Sequence, residues 1–215
     1  VIAAPTSGGK TVLMLQCLAS VLKLGKRAVM FSLETDADRI HGRLACSTQN
    51  IPMGRLMGNA GEVMCKADFI KIKDYVTEIR TADSLIICDS DSITLDDIEA
   101  KLARIAEIGS FDCVLIDYIQ LVELSDNKDL PRHEQIAKVT RRLKQLAKRY
   151  QVPIITASQL NDDGRLRESR AIGMDADVVL MIDPEAGDIG LAKNRNGERG
   201  VKLPLVMNGV YQRFE

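Results

Sequence analysis

Short apolar runs alternate with longer segments of helical periodicity along most of this chain. The apolar runs are rich in Val and Ile, as is typical of strands that are buried on both faces. They cover residues 1–4, 27–33, 85–88, 111–116, 153–157 and 177–182. Because strands joined by helical crossovers pair in parallel, the pattern predicts an α/β fold with a mainly parallel sheet and helices on both faces.

Two of the intervening segments carry their own helix signals. Thr94, followed three residues later by Asp97, forms a capping box at the start of one predicted helix. In the helix that follows residue 131, the apolar residues recur on one face. They are Ile136, Val139, Leu143, Leu146 and Tyr150. Both segments therefore have a side that is expected to pack on the sheet.

The pattern changes after about residue 187, where strand-like pieces replace the helices. Residues 190–193 and 201–207 read as strands. Asn208-Gly209, placed just before Val210-Tyr211, predicts a tight hairpin turn. We expect a small antiparallel extension that closes the sheet at its C-terminal end.

Composition narrows the possible classes of protein and leaves the predicted fold unchanged. The chain has 215 residues and is 46% hydrophobic, so it suits one domain spanning residues 1–215. It carries 29 basic and 30 acidic residues, so any contact with a polyanion must be local. The five cysteines form no C-x-x-C pair, which favours reduced thiols in the cytoplasm. No apolar run is long enough to predict a membrane span.

The first residues of the chain carry the most specific chemical signal. An apolar strand at residues 1–4 leads into Pro5-Thr6-Ser7-Gly8-Gly9-Lys10-Thr11. The small residues Ser7, Gly8 and Gly9 let backbone N–H groups surround phosphates, Lys10 adds a positive charge, and Thr11 offers a hydroxyl to Mg²⁺. This is a phosphate-binding loop that opens a helix, and it predicts a nucleoside triphosphate, ATP or another, as the ligand. Ala4 replaces the first glycine of the usual pattern, which a negative φ would tolerate.

Three other strand ends supply polar groups that suit triphosphate chemistry. Asp117 follows the apolar run 111–116 and is the candidate for holding Mg²⁺. Glu34 follows residues 29–33 and is a candidate base for the attacking water, although a helix N-terminal acid would explain it equally well. Gln159 can sense the γ-phosphate without adding charge, or it can be an ordinary surface glutamine.

A set of short motifs extends these signals over nearly the whole chain. In order they are SLE at 32–34, IDYIQL at 116–121, ASQLN at 157–161, LRES at 166–169, DAD at 175–177 and KNRNG at 193–197. Together they closely resemble the RecA-like motor domain of DnaB-type replicative helicases. The chain begins inside its first predicted strand. We therefore expect it to be a fragment of a longer helicase, without that helicase's N-terminal domain and linker helix.

The resemblance implies an ATP-dependent DNA helicase that works as a ring, usually of six subunits, on single-stranded DNA. It implies that Glu34 activates water, that Asp117 helps to hold Mg²⁺, and that Gln159 couples the γ-phosphate to a DNA-binding loop. It also implies that Lys193 and Arg195 reach into the nucleotide site of the adjacent subunit. A primase and a helicase loader are the further partners, in the cytoplasm of a bacterial or phage-infected cell.

Two segments are expected to face DNA in the channel of such a ring. The first, residues 123–132, carries Lys128 and Arg132, and the second, residues 161–173, carries three arginines. These are Arg165, Arg167 and Arg170. Both segments also carry acidic residues, so their affinity would come from several copies that act together. The more basic stretch 132–149 is better explained as the solvated face of an amphipathic helix.

Two other functions fit part of the sequence. A recombinase or regulatory RecA-like ATPase would share the nucleotide residues but would not unwind DNA. A non-catalytic adaptor would keep the fold with a phosphate loop that has drifted, as Ala4 could suggest. Intact Lys10, Thr11, Glu34 and Asp117 argue against the adaptor.

Overall fold

The alternating strands and helices fold so that the main sheet lies between two layers of helices. The computed structural model describes residues 1–59, 61–90, 92–126, 129–161 and 170–215. The strands are β1 Ile2–Ala4, β2 Ala28–Ser32, β3 Leu85–Asp89, β4 Ile93–Thr94, β5 Cys113–Asp117, β6 Val122–Glu123, β7 Ile154–Gln159, β8 Val178–Asp183, β9 Asp188–Asn194, β10 Lys202–Pro204, β11 Met207–Asn208 and β12 Arg213–Phe214. The helices are α1 Lys10–Lys23, α2 Ala37–Gln49, α3 Met53–Met57, α4 Lys66–Ala82, α5 Leu95–Ile108, α6 Arg132–Tyr150 and α7 Arg170–Asp175, with a 3₁₀ turn at Ile119–Leu121.

The main sheet follows the predicted arrangement. Its strand order is β10-β9-β8-β1-β7-β5-β2-β3 within the described residues. The strands from β8 to β3 pair in parallel, whereas β8–β9 and β9–β10 are antiparallel. The predicted parallel sheet with a C-terminal antiparallel extension is therefore confirmed. Because parallel strands end at the same edge, the carboxyl ends of β1, β2, β5 and β7 lie together.

Two hydrophobic clusters hold the layers together, one on each face of the sheet. Helices α1, α2 and α4 pack on one face through residues that include Met14, Leu18 and Leu44. Helices α5 and α6 pack on the other face, with Leu102 and Val139 fully buried. The capping box of Thr94 and Asp97 is present at the start of α5, as predicted. In the described part of the chain, no helix is both long and apolar enough to cross a bilayer.

The C-terminal hairpin departs from its predicted geometry. Asn208-Gly209 does not form a two-residue turn, because Met207 pairs with Phe214 and Asn208 pairs with Arg213, which leaves residues 209–212 in the turn. Tertiary contacts select this register: the Phe214 ring is buried against α1, and the Val210 carbonyl accepts a hydrogen bond of 2.8 Å from the Met53 N–H. Residues 201–207 are also not one strand, since β10 ends at Pro204 and β11 begins at Met207.

Candidate nucleotide site

The phosphate loop joins β1 to α1 and is shaped by its two glycines. The Gly8 N–H donates to the Pro5 carbonyl at 3.0 Å, and a Cβ at Gly8 would lie 3.0 Å from the side chains of Ala4 and Pro5. Gly9 caps α1 with φ 85°, a left-handed conformation that favours glycine. Ala4 is the last residue of β1, where an extended backbone accepts alanine without strain. The departure from the usual motif therefore leaves the turn intact.

The two residues that follow the glycines point into the site. The Lys10 ammonium lies 2.9 Å from the Pro5 carbonyl and 3.4 Å from that of Ala4, so it folds over the loop. Burial lowers the pKa of Lys10, while Asp117 and Glu34 oppose that shift. Of the two carboxylates, Asp117 has the larger effect on the Lys10 pKa. A bound phosphate would offer this charge a stronger partner than the neutral carbonyls.

Asp117 ends β5 and forms the buried floor of the site. It is only 1% exposed, and its Oδ2 accepts a hydrogen bond of 2.7 Å from the Thr11 hydroxyl. Its Oδ1 is buried without a hydrogen-bond partner in the described structure. Burial raises the pKa of Asp117, whereas the Thr11 hydroxyl, Lys10 and Arg43 lower it. A hydroxyl beside a carboxylate oxygen that lacks a partner fits the oxygen preference of Mg²⁺.

Glu34 lies two residues beyond the end of β2 and is exposed. It makes no hydrogen bond or ion pair within the described residues. The alternative explanation, a helix N-terminal acid, applies instead to Asp36, whose side chain caps α2 by accepting from the Arg39 N–H at 2.8 Å. Glu34 is thus an exposed carboxylate near Lys10 and Asp117, free to contact water at the site.

Gln159 approaches the phosphate loop from β7. It ends that strand beside Ala4, and its side-chain amide donates a hydrogen bond to the Thr6 hydroxyl. The fold therefore brings five of the residues expected from the sequence to one edge of the sheet. These are Lys10, Thr11, Glu34, Asp117 and Gln159.

Lys193 and Arg195 do not join that group. The Lys193 ammonium donates to the carbonyls of Gly173 and Met174, both at 2.8 Å, at the end of α7. The Arg195 guanidinium lies 3.4 Å from Asp177, a carboxylate that Lys144 also contacts. No hydrogen bond or ion pair connects either residue to the phosphate loop in the part of the chain that the structure describes. Within one subunit, these two cations are therefore separate from the site.

Only some of the residues expected to contact DNA lie within the described part of the chain. Lys128, Arg165 and Arg167 lie outside the described residues, and Arg170 is the first residue of α7 with its side chain outside that description. Arg132 begins α6, where its guanidinium contacts the Gln120 carbonyl and the Gln135 side chain, the latter at 2.8 Å. It thus has contacts inside the domain that the sequence did not suggest.

The C-terminal hairpin is the part of the site that sequence reasoning missed. The Phe214 ring lies so close to Gly9 that a Cβ there would come within 2.5 Å of Phe214 Cζ. Gln16 of α1 fixes the Phe214 backbone in both directions, by donating to its carbonyl at 2.9 Å and accepting from its N–H at 3.0 Å. Almost two hundred residues separate these partners along the chain, so no local pattern marks the contact.

Replacing Phe214 with leucine is expected to weaken nucleotide binding by about fivefold, roughly 1 kcal/mol. Leucine keeps apolar bulk but removes the ring that holds Gly9, so the loop must be ordered again when phosphate binds. Titration with a fluorescent nucleotide analogue measures the change. Phe69→Leu is the matched control, because Phe69 is 60% exposed on α4 and far along the chain from the loop. Unchanged affinity in Phe214→Leu would show that the ring only stabilises the fold.

Comparisons with known proteins agree on one family. The family model for the DnaB-like helicase C terminal domain matches residues 1–215. The replicative DNA helicase DnaB of Haemophilus influenzae is 31% identical over 241 residues, which cover all of this chain and 50% of that protein. The replicative DNA helicase DnaB of Geobacillus stearothermophilus is 31% identical over 237 residues, with 51% of that protein covered. The chain thus spans about half the length of these relatives.

Solved structures share the fold. A DnaB-like replicative helicase, solved in a study of its interactions with primase, matches 99% of this chain and 57% of its own with a TM-score of 0.87 and 24% identity. A separately solved ATPase domain matches 99% of this chain and 82% of its own, also with a TM-score of 0.87 and 24% identity. These structures show the shared fold, and the family model that matches residues 1–215 places the chain in the family of DnaB-like helicase C-terminal domains.

Proposed function

We propose that this domain is the nucleoside-triphosphate-hydrolysing motor of a replicative DNA helicase. The observation that carries the proposal is the pair formed by Thr11 and the buried Asp117, whose Oδ1 has no hydrogen-bond partner in the described structure. This pair lies beside a well-formed phosphate loop and an exposed carboxylate. ATP, or another nucleoside triphosphate, and Mg²⁺ are the ligands whose chemistry these groups match.

Each residue of the site has a role in hydrolysis under this proposal. The loop N–H groups and Lys10 bind and orient the phosphates. Thr11 and Asp117 would hold Mg²⁺, which neutralises charge on the phosphate oxygens when bound. Glu34 accepts a proton from the attacking water, and Gln159 contacts the γ-phosphate through its amide. Since phosphoryl transfer depends mostly on positioning and charge, this set supplies most of what one subunit needs.

The remaining positive charge would come from a neighbouring subunit. Arg195 is 67% exposed, and its partner Asp177 is itself 47% exposed, so this ion pair is weak enough to be exchanged for phosphate. Lys193 and Arg195 would complete the site of the adjacent copy in a ring of six. This arrangement requires oligomerisation, which a hydrolysis-competent monomer would contradict.

The proposed track is single-stranded DNA, held in the ring by segments 123–132 and 161–173. The proposed DNA contacts remain those predicted from the sequence, namely Lys128, Arg132, Arg165, Arg167 and Arg170. A primase and a helicase loader are proposed partners, and the bacterial cytoplasm, or that of a phage-infected cell, is the proposed location. A recombinase or regulatory ATPase would share the nucleotide site, but the family match favours the helicase. The site residues likewise argue against an adaptor.

The deciding experiment uses the full-length protein that contains this domain. We expect hydrolysis of ATP to rise when single-stranded DNA is added, and we expect a solution mass that corresponds to a hexamer. A forked duplex with a labelled strand then tests unwinding, which separates a helicase from a recombinase. A monomer whose hydrolysis ignores DNA would refute the proposal.

A further inference from the structure

A series of polar contacts centres on Gln120, a residue of the 3₁₀ turn that follows β5. Its side-chain amide donates to the Ser158 hydroxyl at 3.0 Å and to the Gln159 carbonyl at 3.5 Å. In return, its Oε1 accepts from the Gln159 N–H at 3.4 Å. Gln120 therefore contacts the end of β7 with both halves of its amide, which fixes the orientation of the side chain.

The contacts continue in both directions from Gln120. On the nucleotide side, the Gln159 side chain reaches Thr6 in the phosphate loop. On the other side, the Gln120 carbonyl accepts a hydrogen bond from Arg132. Arg132 also binds the Gln135 side chain at 2.8 Å, which in turn donates to the Leu130 carbonyl at 2.8 Å. A continuous network thus connects the phosphate loop with Leu130 and Arg132, two described residues of segment 123–132.

Burial makes the central contact difficult to replace. Ser158 is 0% exposed, and the bond from Gln120 is the hydrogen bond recorded for its hydroxyl in the described structure. A buried hydroxyl that loses its partner is costly, so Ser158 and Gln120 move together. A γ-phosphate that drew the Gln159 amide away from Thr6 would shift the end of β7. That shift would reach Gln120 and then Arg132.

We propose that Gln120 is a positioning residue that couples Gln159 to segment 123–132, with Arg132 as the link into that segment. The inference rests on the proposed function, because it assumes that the segment contacts single-stranded DNA. The coupling is thermodynamic, so it acts equally in both directions. The nucleotide changes DNA affinity by a factor that depends on Gln120, and DNA changes nucleotide affinity by the same factor.

The experiment measures that factor in the full-length protein. Binding of a labelled oligo-dT is titrated with and without a non-hydrolysable ATP analogue, and the ratio of the two Kd values is the coupling factor. In typical coupled systems this factor is about 5 to 150. We expect Gln120→Ala to bring it to about one, and the melting temperature of the variant checks that it remains folded. Gln145→Ala, an exposed glutamine of α6, is the matched control and keeps the wild-type factor.

Ser158→Ala removes the shortest of the three contacts between Gln120 and β7 and leaves no buried hydroxyl. It is expected to lower the coupling factor below the wild-type value, and it replaces Gln120→Ala as the test if that variant is too unstable to assay. The double variant should lose no more coupling than Gln120→Ala alone, because Gln120→Ala already removes the contact with Ser158. A wild-type coupling factor in Ser158→Ala and Gln120→Ala would overturn the proposal.

Arg132→Met distinguishes the relay from a simple DNA contact. A phosphate contact alone predicts weaker oligo-dT binding by the same factor with and without the analogue. The relay predicts that the ratio itself falls, whereas Arg141→Met, at an exposed position on the same helix, keeps it. If DNA stimulates hydrolysis by the wild-type protein but Gln120→Ala keeps the wild-type coupling factor, only this inference fails. If hydrolysis by the wild-type protein does not respond to DNA, both this inference and the proposed function fail.

Discussion

Glu34→Gln is expected to lower nucleotide hydrolysis by about 10²- to 10⁴-fold while nucleotide binding stays close to wild type. Glutamine has the shape of glutamate but cannot accept a proton from water at neutral pH. Glu34 makes no hydrogen bond within the described residues, so its replacement leaves no buried partner unsatisfied. Single-turnover hydrolysis measures the chemical step, and equilibrium binding of a fluorescent nucleotide measures affinity.

Two further variants serve as comparisons for this result. Lys10→Ala removes the charge that is proposed to bind phosphate, so it should lose affinity as well as turnover, unlike Glu34→Gln. Glu107→Gln, an exposed glutamate in α5, controls for the loss of one negative charge and should hydrolyse nucleotide normally. Substantial turnover in Glu34→Gln would mean that another group positions the water, and the proposed assignment would be wrong.

The geometry of the candidate nucleotide site was largely predictable because its requirements are local. The loop from Ser7 to Thr11 needs small residues, a cation and a hydroxyl at fixed spacing, and all of them lie next to each other in the sequence. Asp117 and Gln159 were found from strand ends, because parallel strands bring their carboxyl ends to one edge. Burial and hydrogen bonding then add what spacing could not supply, such as the Asp117 oxygen without a partner in the described structure.

Features that depend on long-range contacts were not predictable in the same way. Gln120 and Ser158 are 38 residues apart, and nothing in either neighbourhood marks them as partners. The Asn208-Gly209 turn was predicted from local preference and was wrong, because burial of Phe214 determines the hairpin register. The contact of Arg132 with the Gln120 carbonyl belongs to the same class, since it depends on how α6 packs beside the 3₁₀ turn.

The proposed action of Arg195 at a neighbour's site predicts a second large effect. Arg195→Ala is expected to reduce hydrolysis by about a thousandfold or more, as for other arginines that stabilise charge on a transferring phosphoryl group. Its loss should cost little stability, because the ion pair with Asp177 is mostly exposed. Arg199→Ala is the matched control: Arg199 is an exposed arginine between β9 and β10 and should leave hydrolysis unchanged.

Mixing subunits tests whether Arg195 acts on its own site or on that of a neighbour. Arg195→Ala subunits keep Glu34, and Glu34→Gln subunits keep Arg195, so one of the mixed interfaces contains both groups. In an equal mixture with random order, about a quarter of the interfaces would be restored, because head-to-tail contacts pair each site with the next subunit. Each variant alone should stay inactive, and hydrolysis should be highest near equal proportions. If Arg195 acted within its own subunit, every site in the mixture would lack one group, and mixing would restore no activity at any proportion.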